Sequence, residues 1–243
     1  MQIFGEIEAF FRAALVDPVA TDHATTALQL RQRRIVVIIT MMLGTGALGW
    51  ALAIKPGNPI FYLATLSVAA IWAIGSFISG PLYLGRSHTR KGATNGRAIL
   101  QGIILGGVLL IIFLLGAMVA GQVSALRHPV DELLAHAIIG SLALTAVITA
   151  VTGICEELFF RGAVYAALPR RWATVGSALL YTGSTILSGV LLLSFAAFIL
   201  GILTGAQRRV TGGIAGPIAA HLTWSMGMLF LLPHALNLGD LLW

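Results

Sequence analysis

The sequence has few of the residues with which a soluble protein covers its surface. Only 10% of its 243 residues are charged, whereas soluble domains carry about 25%. The single cysteine, Cys155, excludes an intramolecular disulfide and a metal site built from several cysteines. No His-Glu-x-x-His motif is present, and the period-two alternation of a membrane β-barrel is absent as well. We therefore expect no metal ion and no cofactor.

Long apolar blocks take the place of the missing polar surface. They are close to the length of about 20 residues that crosses a hydrocarbon core, and helices satisfy their own backbone polar groups in lipid. The sequence predicts an all-α, polytopic transmembrane bundle of about 7 to 8 helices, with a cytoplasmic or interfacial segment over 1–33 and one transmembrane domain over 34–243. The predicted spans are 35–54, 60–79, 99–119, 133–160 with a kink near Gly153, 173–187, 190–204 and 214–232.

The net charge of +6 comes from cations in short loops and not from one amphipathic face. This pattern disfavours a nucleic-acid partner and indicates membrane topology. Under the positive-inside rule we expect a multi-pass membrane protein with a cytoplasmic N-terminus. The cations on the cytoplasmic side are Arg12, Arg31, Arg33, Arg34, Arg86, Arg90, Lys91, Arg97, Arg170, Arg171, Arg208 and Arg209.

Two adjacent carboxylates, Glu156 and Glu157, interrupt the fourth apolar block together with Arg161. Each intramembrane carboxylate costs roughly 2.5 to 3.5 kcal/mol and marks a functional site by default. Glu157 and Arg161 are four residues apart, so they share a helix face and are expected to form an ion pair. Glu156 is rotated by about 100° and remains free to act as a general base. In the alternative interpretation, both acids pair with Arg161 and only bridge helices.

A second polar cluster lies in the last span. His221 and Ser225 are four residues apart, and His221 lies about 10 Å from the cytoplasmic start of its helix. Glu156 lies in the cytoplasmic half of its own helix, so the two side chains can meet at a similar depth. A lone intramembrane histidine that only packs and forms a hydrogen bond is the alternative.

The segment GICEELFFRGAVYAAL, followed some 60 residues later by GPIAAHLTWS, resembles the CPBP family of intramembrane proteases. This family includes the type II CAAX prenyl endopeptidases and the bacteriocin-processing or Abi proteins, and the likeness covers 133–232. The resemblance implies that Glu156 activates water, that Glu157 and Arg161 support it, and that His221 helps to hold the oxyanion. Ser225 stands where the family usually has asparagine.

The middle motif of the family, Phe-x-x-x-His, is incomplete in this sequence. Tyr181 and Thr185 have its spacing, with Thr185 in the histidine position as a candidate substitute. The leading hypothesis is an intramembrane endopeptidase that cleaves a peptide or membrane-protein substrate near the cytoplasmic face. The alternative is a catalytically impaired scaffold or immunity-type protein that binds a membrane-protein partner. A transporter is disfavoured, because no internal repeat is evident.

Overall fold

Most of the residues described by the computed structural model, which are 2–21, 25–88 and 98–242, lie in helices. The predicted all-α, polytopic bundle is confirmed. Arg90, Lys91 and Arg97, on which the predicted orientation partly depends, lie outside the described residues. The helices are α1 (Gln2–Leu15), α2 (Ala27–Leu52), α3 (Ile60–Ser79), α4 (Ala98–Ala120), α5 (Ser124–Ile138), α6 (Leu142–Ala167), α7 (Ala173–Thr185), α8 (Leu191–Thr211) and α9 (Ala215–Leu242).

Six of these helices, α2, α3, α4, α6, α8 and α9, are long and apolar enough to cross a membrane. The predicted span 60–79 coincides with α3. Helix α7, which was predicted as a short span, has 13 residues and continues into a 3₁₀ turn that ends at Ser188. Gly189 then adopts a φ of 72°, a left-handed conformation that glycine adopts without steric cost. The chain therefore turns between α7 and α8 where the sequence predicted.

The prediction of one continuous helix over 133–160 is wrong. Helix α5 ends at Ile138, and Ser141 caps the start of α6 by accepting a hydrogen bond from the backbone N–H of Leu144 at 3.3 Å. The hydroxyl of Tyr62 on α3 accepts a hydrogen bond from Ser141 N at 2.8 Å. The serine cap and the hydrogen bond to Tyr62 thus break the helix within a segment whose hydropathy gives no sign of a break.

The sequence predicted a kink near Gly153, but Gly153 lies within regular helix, and the irregular turn comes directly after the two glutamates instead. Residues Leu158–Val164 form a π-helical stretch within α6. Inside this stretch, the carbonyl oxygen of Arg161 accepts a hydrogen bond from Arg208 Nε on α8 at 2.9 Å. A π-helical insertion is often found at a functional site because it changes the direction of the side chains around it.

Stacked aromatic rings form the core beside this turn. Trp72 of α3 is fully buried and stacks on Phe159, with 4.7 Å between ring centroids, and its ring lies 5.3 Å from that of Phe160. Phe160 in turn packs on Tyr181 of α7 at 4.8 Å. The core therefore joins α3, α6 and α7 at the level of the glutamates.

Close backbone approaches fix α9, which carries His221. A Cβ atom added at Gly106 of α4 would overlap the carbonyl oxygen of Ala220, so only glycine allows α4 and α9 to pack this closely. A Cβ atom at Gly213, just before α9, would overlap the backbone of Gly85 in the α3–α4 connection. Both contacts position the start of α9 against the rest of the bundle.

Candidate active site

The two adjacent glutamates end the regular part of α6. Glu157 is completely buried and Glu156 is 9% exposed. Because consecutive helical residues are rotated by about 100°, the two carboxylates face different neighbours. Glu157 faces His221 of α9 and Arg161, whereas Glu156 faces Tyr181 of α7.

Glu157 lies at the centre of a charged cluster. Its Oε1 lies 3.2 Å from Nη1 of Arg161, so the predicted ion pair is present. The same oxygen lies 2.8 Å from Nδ1 of His221. Arg161 is completely buried, and its guanidinium lies 4.7 Å from the centre of the Tyr181 ring. A cation over an aromatic face is attracted to it, so Glu157 and Tyr181 together compensate the buried charge.

Glu156 lies between a tyrosine and a histidine. The hydroxyl of Tyr181 donates a hydrogen bond to Oε2 of Glu156 at 2.6 Å. Nε2 of His221 lies 3.8 Å from the same oxygen. The imidazole therefore reaches both carboxylates, through Nδ1 to Glu157 and through Nε2 toward Glu156.

The charges of these groups limit the proton positions that the site can stabilise. With both carboxylates and Arg161 ionised, the cluster carries one net negative charge, and one further proton makes it neutral. If the additional proton is on His221, Nδ1–H donates to Glu157 and Nε2–H points toward Glu156. The site can then present a carboxylate acceptor and an imidazolium donor to one molecule.

The other two residues singled out from the sequence lie apart from this cluster. The hydroxyl of Thr185 donates to the carbonyl oxygen of Thr182 at 2.8 Å, and its oxygen lies 3.3 Å from Oγ of Ser194. The hydroxyl of Ser225 is buried without a hydrogen-bond partner among the described residues, and Ser225 is one of the residues around a neighbouring cavity. No described contact joins either hydroxyl to Glu156.

Tyr181 is the site residue whose contact the sequence analysis missed. It lies four residues before Thr185, in the aromatic position of the incomplete motif, and it is 6% exposed. Its phenol oxygen reaches Glu156, while the side chain at the histidine position bonds within α7 and α8. The available signal was the hydroxyl itself, since a tyrosine in place of phenylalanine adds a hydrogen-bond donor on the same helix face.

A cavity of about 660 Å³ adjoins the site. Trp224 lies between the two, with its ring 6.4 Å from the His221 ring and 5.4 Å from the Phe113 ring. Apolar side chains of α4, α5, α6, α8 and α9 form most of the cavity wall. A volume of this order is typical of sites that enclose a ligand.

Residues 138–227 match the family model described as type II CAAX prenyl endopeptidase Rce1-like. No curated protein and no solved structure matches the chain. The matched segment runs from the α5–α6 connection into α9 and contains all the residues of the charged cluster. Among the described residues, no group of three or more His, Cys, Asp or Glu side chains is arranged to hold a metal ion.

Proposed function

Because residues 138–227 place the chain in the CPBP family of intramembrane proteases, we propose that the protein is an intramembrane endopeptidase in which Glu156 activates water. A membrane-embedded protein is the class of substrate that this family implies. The observation that carries the proposal is the position of His221, whose Nδ1 lies 2.8 Å from Glu157 and whose Nε2 lies 3.8 Å from Glu156. One imidazole thus connects the general base to the supporting ion pair.

Glu156 takes a proton from the hydrolytic water in this mechanism. Tyr181 and His221 both approach its Oε2, so we assign Oε1 to the water. The resulting hydroxide attacks the scissile carbonyl carbon and forms a tetrahedral intermediate. When the carbon–nitrogen bond breaks, Glu156 returns the proton to the departing amine. The products are a new carboxyl end and a new amino end.

His221 stabilises the oxyanion that forms during the attack. As an imidazolium it donates from Nε2, and Glu157 fixes its ring through Nδ1. Arg161 offsets the charge of Glu157, so the buried carboxylate keeps a compensating cation beside it. Groups that are aligned before the reaction stabilise developing charge without reorganisation. Tyr181 holds the carboxylate of Glu156 in the orientation that the water requires.

We also propose that the N-terminus is cytoplasmic. Arginines form hydrogen bonds between several segments at one end of the bundle. Arg34 at the start of α2 donates to Ala167 O at the end of α6. Arg209 near the end of α8 donates to Leu15 O. This end therefore carries the basic residues that the positive-inside rule assigns to the cytoplasm. Labelling of a cysteine introduced at Arg34 or at Glu132, on opposite ends, in a Cys155→Ala protein in sealed vesicles tests this orientation.

The proposed activity is tested by profiling the N-terminal peptides of membranes that contain wild type, Glu156→Gln or Glu132→Gln. Glutamine keeps an oxygen that can accept the hydrogen bond from Tyr181 but cannot take a proton from water. Glu132 is the matched control, because it is an exposed glutamate of α5. We expect new peptide ends with wild type and with Glu132→Gln, and none with Glu156→Gln. Equal profiles in all three membranes would refute the protease proposal.

A non-catalytic scaffold that binds a membrane-protein partner is the second candidate. It is favoured by one observation, namely that Thr185 occupies the position of a second imidazole and bonds elsewhere. Such a protein would retain a stable partner in native membranes when Glu156 is replaced by glutamine. Loss of the partner upon that substitution would argue against a purely binding role.

A further inference from the structure

Arg208, in the last turn of α8, is a second buried arginine beside the π-helical stretch of α6. It is 7% exposed, and none of the ion pairs among the described residues includes it. Its Nε donates to Arg161 O at 2.9 Å, and its guanidinium lies 5.3 Å from the centre of the Tyr165 ring. Arg161 lies within the π-helical stretch, and Tyr165 directly follows it. A buried charge without a carboxylate partner is costly, so these contacts with the irregular part of α6 require an explanation.

The hydrogen-bond pattern of the π-helical stretch explains the contact with Arg161 O. In an α-helix, the N–H of Tyr165 would donate to the carbonyl oxygen of Arg161, four residues back. Here it donates to Phe160 O, five residues back, as in a π-helix. The carbonyl oxygen of Arg161 thereby loses its α-helical donor. Nε of Arg208 takes the place of that donor, so a side chain of α8 supplies the hydrogen bond that the irregular turn gives up.

The position of the Arg161 side chain depends strongly on its backbone. None of its three guanidinium nitrogens forms a hydrogen bond among the described residues. The group is held by its ion pair with Glu157 and by the ring of Tyr181, and both interactions are less directional than a hydrogen bond. A Cβ atom added at Gly201 of α8 would lie 3.3 Å from Nη2 of Arg161, so there is little free space on that side. A change in the π-helical turn would therefore move the guanidinium relative to Glu157 and Tyr181.

We propose that Arg208 is a positioning residue of the candidate active site. It stabilises the π-helical turn through Arg161 O, and the turn places the guanidinium of Arg161 against Glu157 and the ring of Tyr181. Tyr181 in turn donates to Glu156, so Arg208 acts on the general base through other residues. As far as it concerns cleavage, this inference rests on the proposed function.

Two substitutions separate the hydrogen bond of Arg208 from its charge. In Arg208→Gln, the amide nitrogen is bonded to Cδ, as Nε is in arginine, so a donor remains at the same distance from the backbone while the charge is lost. Arg208→Met removes both the donor and the charge. Arg209→Met is the matched control, because this neighbouring arginine is exposed and donates to Leu15 O. The control removes one positive charge from the same end of α8.

A spectroscopic measurement tests the proposal apart from catalysis. The protein is labelled with 3-fluorotyrosine, and its ¹⁹F NMR spectrum is recorded in micelles. The four tyrosines are assigned by replacing each in turn with phenylalanine. Tyr165 reports the ring contact with Arg208. Tyr181 reports the transmitted effect, because its described contacts are with Arg161 and Glu156 and not with Arg208. Tyr62 on α3 is the reference for an intact fold.

We expect Arg208→Met to shift the Tyr181 signal. It should also slow the appearance of glutamate-dependent peptide ends by about 10- to 150-fold, which corresponds to the loss of a hydrogen bond from a charged group. Arg208→Gln should keep the Tyr181 signal and slow cleavage by at most about tenfold, because a neutral donor remains. Arg209→Met should match wild type in both measurements.

Three results would each overturn the proposal: a shift of the Tyr165 signal without one of Tyr181, equal effects of Arg208→Gln and Arg208→Met, or an unchanged cleavage rate in Arg208→Met. If a changed Tyr62 signal shows that Arg208→Met is misfolded, Arg208→Gln decides alone. A shifted Tyr181 signal in that variant would then refute the role of the hydrogen bond. If Arg208→Met shifts the Tyr181 signal but no peptide ends depend on Glu156, the protease is refuted and the positioning of Arg161 by Arg208 stands.

Discussion

Removal of one hydroxyl group from Tyr181 tests how the site orients its general base. In Tyr181→Phe the ring remains against Phe160 and under Arg161, at 4.8 Å and 4.7 Å. Only the 2.6 Å hydrogen bond to Oε2 of Glu156 is lost. A hydrogen bond to a charged group contributes about 1.5–3 kcal/mol. If this bond is needed in the transition state, cleavage slows by about 10- to 150-fold.

The assay is the rate at which glutamate-dependent peptide ends appear in membranes that carry equal amounts of each variant. Tyr165→Phe is the matched control, because its hydroxyl lies 3.3 Å from Oγ1 of Thr174 and its ring packs under Arg208, away from the carboxylates. We expect the control to cleave at the wild-type rate. Thermal unfolding of both variants in detergent shows whether either has lost its fold.

Equal rates for Tyr181→Phe and wild type, together with complete loss in Glu156→Gln, would refute the assigned role of the phenol. Glu156 would then be oriented by His221 alone. An equal decrease in Tyr165→Phe would also contradict the reasoning, since it would attribute the effect to general packing.

Three further predictions concern stability. Arg161→Met leaves Glu157 buried without its cation and should cost about 3–5 kcal/mol of unfolding free energy, measured by denaturant unfolding in micelles; a loss below about 1 kcal/mol would contradict the buried ion pair. Gly213→Ala places a methyl group against the backbone of Gly85 and should lower the free energy of unfolding by at least about 1–3 kcal/mol. Gly107→Ala is the control, because nothing lies within 4 Å of the added carbon, and its stability in the same unfolding experiment should be unchanged or higher. Burial of His136 on α5 lowers its pKa below 6.5. The folded state therefore keeps its full stability above pH 6.5 and loses part of it as the pH falls through the lowered pKa. His136→Phe should make this loss smaller, as measured by melting temperatures at pH 7.5 and 5.5.

Hydropathy and local spacing were sufficient for much of the fold. The apolar block over 60–79 became α3 with the same bounds, and the turn after Ser188 follows from a glycine between two short apolar runs. The ion pair of Glu157 with Arg161 follows from their separation by four residues. These features depend on residues that are neighbours in the chain, so their geometry can be predicted from the sequence.

The tertiary structure alone decided which residues of other helices contact each acid. Tyr181 reaches Glu156 because α7 packs on the aromatic rings of α6, and the break before Ser141 depends on a hydrogen bond with Tyr62 of α3. The cavity between α4 and α8 likewise has no local signature in the sequence. Hydropathy shows that a helix is buried in lipid or protein, but it does not show which helix faces it. The sequence by itself therefore determined the membrane bundle and the chemical groups of the candidate site, whereas packing between distant helices decided their contacts.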